Sequence, residues 1–148
     1  HHRSSAASDV YKRQIYDSLR ATSLAIKDDL VLPGGGSAHS RVSHHVRSQM
    51  ESEPGRERIA MEAFARAMET IPAVLAENAG QSPLDKVLEL RAEARKENQA
   101  MGIDKKGEVS PVDDVWHSLS VISESLETST ETAISMLRID QVVSSRGD

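Results

Sequence analysis

At 148 residues the chain is long enough for one domain with a core of its own. A net charge of −5, from 18 basic and 23 acidic residues with no long basic run, argues against a nucleic-acid partner. The absence of cysteine removes disulfides, thiolate chemistry and cysteine-based metal sites.

A reducing cytoplasm suits such a chain. No apolar stretch approaches the ~20 residues that cross a bilayer, and no secretory signal is recognisable, so a soluble cytoplasmic protein without membrane contact is expected. With one Phe, one Trp and two Tyr, the core must be built from Ala, Leu, Ile, Val and Met, which suits packed helices. The expected fold class is therefore mainly α.

The first stretch, residues 1–14 ("HHRSSAASDVYKRQ"), lacks helical or strand periodicity and reads as a foreign leader, so it is set outside the fold argument. From Ile15, Leu19, Thr22 and Ile26 recur at helical spacing, which predicts a first helix to about Asp28. Asp17 lies off that stripe. After "LVLPGGG", Ala38, Val42 and Val46 repeat every four residues, giving a second helix that starts directly on Gly34, Gly35 and Gly36 and is broken by "ESEPGRE".

Ile59, Ala60, Ala63, Phe64, Ala67, Met68 and Ile71 then form a wide stripe, expected to make the most buried helix. Pro72 is expected to restart or kink it before a stop at Gly80. "SPLD" at 82–85 supplies an N-cap Ser, a first-turn Pro and an acid, opening a helix that runs towards Asn98. Gly, Asp and Pro punctuation around Ile103 and Val109 predicts a short hairpin or turn at 101–110. A last helix follows through Leu119, Ile122, Leu126, Ala133, Ile134 and Leu137. "LRIDQVV" alternates roughly, so a terminal β-strand is expected at 138–143, with a disordered tail at 144–148 ending in Arg-Gly-Asp.

His44 and His45 project about 100° apart on a helix, and His39 is poorly spaced from them, so a metal site is disfavoured. His117 beside Trp116 reads as packing. Three consecutive glycines are either a flexible joint or bare backbone where a flat or anionic ligand approaches a helix N-terminus. Asp17 by itself reads as a surface carboxylate and "GID" at 102–104 as a turn; spacing alone links none of these places.

Read together, "YDSLRATSLAIKDDLVLPGGGSA", "AMEAFARAMETIPAVLAENAG", "LELRAE", "GID" and "MLRIDQVV", in this order, resemble the C-terminal half of the equatorial domain of group II chaperonins, the thermosomes of archaea and their eukaryotic cytosolic relatives. The resemblance covers residues 15–143. It implies a helical-bundle ATPase piece whose intact subunits stack into a double ring, bind ATP with Mg²⁺ and fold client polypeptides held by domains outside these residues.

On the same resemblance, Asp17 orients or deprotonates the attacking water, a role often worth roughly 10²- to 10⁴-fold. Gly34, Gly35 and Gly36 meet the base and ribose, and Asp104 lies beside the adenine, followed by Lys105. The ribose hydroxyls fall to Asp113 or Asp114, although "SPVDDVWHS" is shorter than the family's loop and lacks its Gly and Glu-Pro. The phosphate loop and the Mg²⁺-holding aspartate of the family belong to the N-terminal half of the domain, so the 148 residues alone are expected neither to hydrolyse ATP nor to fold robustly. The resemblance also puts the terminal strand into a sheet shared with a neighbouring subunit. The competing expectation is a helical interaction module without nucleotide chemistry.

Overall fold

The computed structural model describes residues 2–96 and 99–144. In chain order these form α1 (His2–Asp28), β1 (Val31–Pro33), α2 (Ser37–Gln49), a 3₁₀ turn (Met50–Ser52), α3 (Gly55–Asn78), α4 (Pro83–Ala94), β2 (Met101–Ile103), β3 (Val109–Pro111), β4 (Trp116–Ser118) and α5 (Leu119–Ser144). The mainly α reading holds. β1 pairs with β4, and β2 with β3. Two compact units result, one made of the chain up to Val31 plus the chain from His117, the other of Leu32–Trp116.

In the first unit α1 is continuous from His2, so most of the stretch expected to stand outside the fold is helical. No Gly or Pro interrupts residues 1–32, and once a helix is nucleated each further residue adds a hydrogen bond. The predicted stripe is present but uncovered: Ile15, Leu19 and Ile26 are all more than half exposed. At the end of α1, Asp28 accepts hydrogen bonds from the Ser118 hydroxyl and, at 3.1 Å, from the Ser120 amide. It thereby caps the start of α5 from a distance.

The expected strand at 138–143 is absent: these residues continue α5 to Ser144. A half-dozen residues of loose alternation do not outweigh propagation of a helix already five turns long, and a strand needs a neighbour to satisfy its amides. The remaining expected tail, 145–148, lies outside the described residues.

In the second unit α2, α3 and α4 pack on one another and on the β2–β3 hairpin. Ala76, Leu90 and Ile103 form the centre of the core, with Met101 and Val109 against them. α3 runs unbroken through Pro72, contrary to the expected restart. Proline there removes one helical donor, but its fully buried ring fills the contact with the glycine bend. The packed face of α3 is Ala65, Met68, Glu69, Pro72 and Ala76, narrower than the predicted stripe, and Ile59 is 73% exposed. α4 begins as expected, with the Ser82 side chain accepting from the Asp85 amide and Pro83 in the first turn. It ends at Ala94, and Asn98 lies outside the described residues.

Candidate functional site

The glycine run forms a tight turn at the start of α2. The Ser37 amide donates to the Gly34 carbonyl at 3.1 Å, and Gly35 and Gly36 occupy the left-handed region at φ 64° and 73°, as a type I′ turn requires. A flexible joint is therefore the wrong description. A Cβ on Gly35 would lie 2.5 Å from the Ile103 carbonyl oxygen, and one on Gly36 would lie 3.0 Å from the Pro72 ring. The Ile103 amide donates to the Gly35 carbonyl at 2.8 Å. Backbone thus packs on backbone, which fixes the bend to the hairpin.

Two polar features of the bend lack partners. Among the described residues the amides of Gly35 and Gly36 donate to no backbone carbonyl. The Ser37 hydroxyl, on a residue only 1% exposed, has no hydrogen-bond partner. They lie at the positive end of a 13-residue helix.

Asp104 opens the loop between β2 and β3. Its Oδ1 accepts from the Lys106 amide at 2.8 Å and the Glu108 amide at 2.9 Å, and its Oδ2 from the Ser110 hydroxyl at 3.3 Å. The bonds from the Glu108 and Lys106 amides, in that order, hold its carboxyl below the ordinary carboxylate range. Lys105 extends to the Asp114 carboxylate in an exposed ion pair. That contact lowers the Asp114 pKa and raises that of Lys105. Asp113 is exposed, and its carbonyl accepts from the Trp116 indole at 3.0 Å. Trp116 itself is 52% exposed, so the expected packing role for Trp116 and His117 is not what the fold gives them.

Gly34, Gly35, Gly36, Asp104, Lys105, Asp113 and Asp114 all belong to the second unit, and the Gly35–Ile103 bond places the bend one residue from Asp104. Asp17 belongs to the first unit, on the exposed surface of α1. Among the described residues no group of three or more Asp, Glu or His is placed to hold a metal.

An ionic cluster that the sequence reading missed ties the second unit together. Glu69 on α3 is buried and accepts from Arg47 and Ser43 on α2 and from Arg91 on α4, the Arg91 contacts being 2.6 and 2.8 Å. Burial pushes the Glu69 carboxyl up, but the bonds from Arg91, Arg47 and Ser43 outweigh it and bring the group down to about 2. Arg47 also reaches Glu62, at 3.1 and 3.2 Å. In the sequence, the signal was an acid at the packed spacing of α3: Glu69 is one residue from Met68 and three from Pro72.

The family model for the TCP-1/cpn60 chaperonin family matches residues 3–146, and the chain belongs to that family. Among similar proteins, thermosome subunit 1 of Haloferax volcanii is 40% identical over 138 residues, covering 91% of this chain and 25% of the relative. Thermosome subunit beta of Thermoplasma acidophilum is 38% identical over 141 residues, covering 93% of this chain and 26% of the relative. The open-state monomer of a group II chaperonin from Methanococcoides burtonii superimposes with a TM-score of 0.75 at 33% identity, over 88% of this chain and 33% of that one. The chain spans about a quarter of the length of the curated relatives it matches. Among the described residues no helix is long and apolar enough to cross a membrane.

Proposed function

We propose that these residues are the C-terminal part of the nucleotide-binding equatorial domain of an ATP-dependent protein-folding chaperonin subunit of the thermosome type. The observation that carries this reading is the side-chain-free turn at Gly34–Gly36. It brings bare backbone, with the half-buried Gly35 at its tip, to a helix N-terminus, which suits close approach by the polar edge and sugar of a nucleotide. Lys105, Asp113 and Asp114 border the same unit and are assigned to the surroundings of base and ribose.

Among the described residues no cluster of three or more acids or histidines is placed to hold magnesium. Its ligands are assigned to the portion of the intact subunit outside this sequence, as are the domains that hold unfolded clients. In the assembled double ring Asp17 is the carboxylate that orients the attacking water and takes its proton. Exposure on α1 leaves it accessible for that task.

The test is steady-state ATP turnover by the full-length assembled ring carrying Asp17→Ala. The expected result is a loss of roughly 10²- to 10⁴-fold in kcat with nucleotide affinity little changed. Normal turnover rejects Asp17 as the base.

A further inference from the structure

We propose that Asp104 is a positioning residue for the nucleotide site: its carboxylate sets the hairpin turn, and the turn in turn seats the glycine bend. The inference rests on reading that bend as a nucleotide contact.

A carboxylate offers roughly four acceptor positions, and Asp104 spends three of them inside its own loop, on the Lys106 and Glu108 amides and the Ser110 hydroxyl. The backbone closes the same loop, with the Asp104 amide donating to the Glu108 carbonyl at 2.9 Å and the Gly107 amide to the Asp104 carbonyl at 3.0 Å. Gly107 sits at φ 80°, the left-handed position that ends a three-residue hairpin connection. A side chain so engaged has little left to offer a base.

What it fixes is the strand just before it. Gly102 approaches the bend so closely that a Cβ there would lie 2.8 Å from the Gly34 carbonyl oxygen, and the next amide, Ile103, holds the Gly35 carbonyl. Loss of the Asp104 acceptors frees the loop amides, lets the Gly102–Ile103 strand slide and loosens the Gly35 carbonyl. The chain of contacts runs from carboxylate to loop, from loop to strand and from strand to bend.

The experiment measures amide hydrogen exchange by mass spectrometry, with and without ATP, and nucleotide affinity on the full-length subunit in its assembled ring, in wild type, Asp104→Ala and Asp104→Asn. Alanine is expected to accelerate exchange at Lys106, Glu108 and Ile103 and to weaken ATP binding about tenfold, the effect of losing charge-assisted hydrogen bonds. Asparagine keeps an acceptor oxygen for the two loop amides, so it is expected to restore both readouts and to leave the preference for ATP over GTP unchanged. Unchanged protection of Ile103 in the alanine variant overturns the proposal. It is equally overturned if asparagine restores protection without restoring affinity, or shifts the ATP-to-GTP preference, because either result means that the carboxylate touches the base. Retained protection at Met68 and Leu90 separates these outcomes from global unfolding. If the wild-type ring shows no ATP-induced protection at Gly35 or Gly36, the nucleotide reading of the bend fails, while the exchange pattern without ATP still decides whether Asp104 seats it.

Discussion

The two units are stabilised by different means. Every buried apolar side chain among the described residues, from Ala65 to Val112, belongs to the unit formed by residues 32–116. The other unit consists largely of two helices of 27 and 26 residues whose Ile15, Leu19, Ile26, Ile134 and Leu137 remain exposed. Its order comes from backbone hydrogen bonds, from a limited contact of α1 with α5 and from the Asp28 cap on α5. Helix length alone is thus a poor index of where a chain stores its stability, which resides in interlocking side chains.

The contrast breaks most readily at Glu69. Glu69→Gln leaves two guanidinium groups facing a neutral amide, and chemical denaturation should show a loss of about 3 to 5 kcal/mol. Acid should achieve the same in the wild type. Because the folded carboxyl lies at about 2 against an ordinary 4.5, its contribution is complete above pH 4.5 and drains away as pH falls from there through about 2. An acid titration in which the second unit stays equally stable down to pH 3 would contradict the assignment.

A smaller loss is expected at the bend. Gly35→Ala places a Cβ at positive φ and 2.5 Å from a carbonyl oxygen, which should cost about 1 to 3 kcal/mol in thermal unfolding. A nucleotide-binding defect in such a variant therefore has to be read beside its stability. The smallest effect sharpens the comparison from the other side. Leu19→Ser, on an uncovered helix face, should change unfolding free energy by at most about 0.5 kcal/mol in this chain. A large loss there would mean that α1 buries its apolar row in solution.

Where an element is fixed by its own residues, the sequence was readable. Ser82, Pro83 and Asp85 start α4 by chemistry contained within four positions, and Gly102, Asp104 and Gly107 punctuate the hairpin in the same local way. What escaped depended on distant partners. Pro72 reads as a breaker until the ring is seen filling the space opposite Gly36. Glu69 looks like one more surface acid, because its two arginines come from helices about twenty residues away on either side. The terminal segment alternates like a strand, but a strand also needs a neighbour for its amides, which alternation does not encode.

The candidate site was legible in part. The glycines and Asp104 could be singled out, but their adjacency arises from a backbone contact across nearly seventy residues, which no local spacing encodes. That Asp104 turns inward upon its own loop is likewise a property of the hairpin geometry.

Gly107 carries a practical corollary. A Cβ there would strike Gln81 at 2.5 Å and Ala79 at 2.8 Å, and Gln81 also holds the Lys106 carbonyl and the Glu108 carboxylate. The strand connection is wedged in place and has no slack for inserted residues or a bulky label. Gly55, where an added methyl would meet open space, marks the exposed connection ahead of α3 as the better place for an epitope or fluorophore, since lengthening a solvent-facing loop costs little.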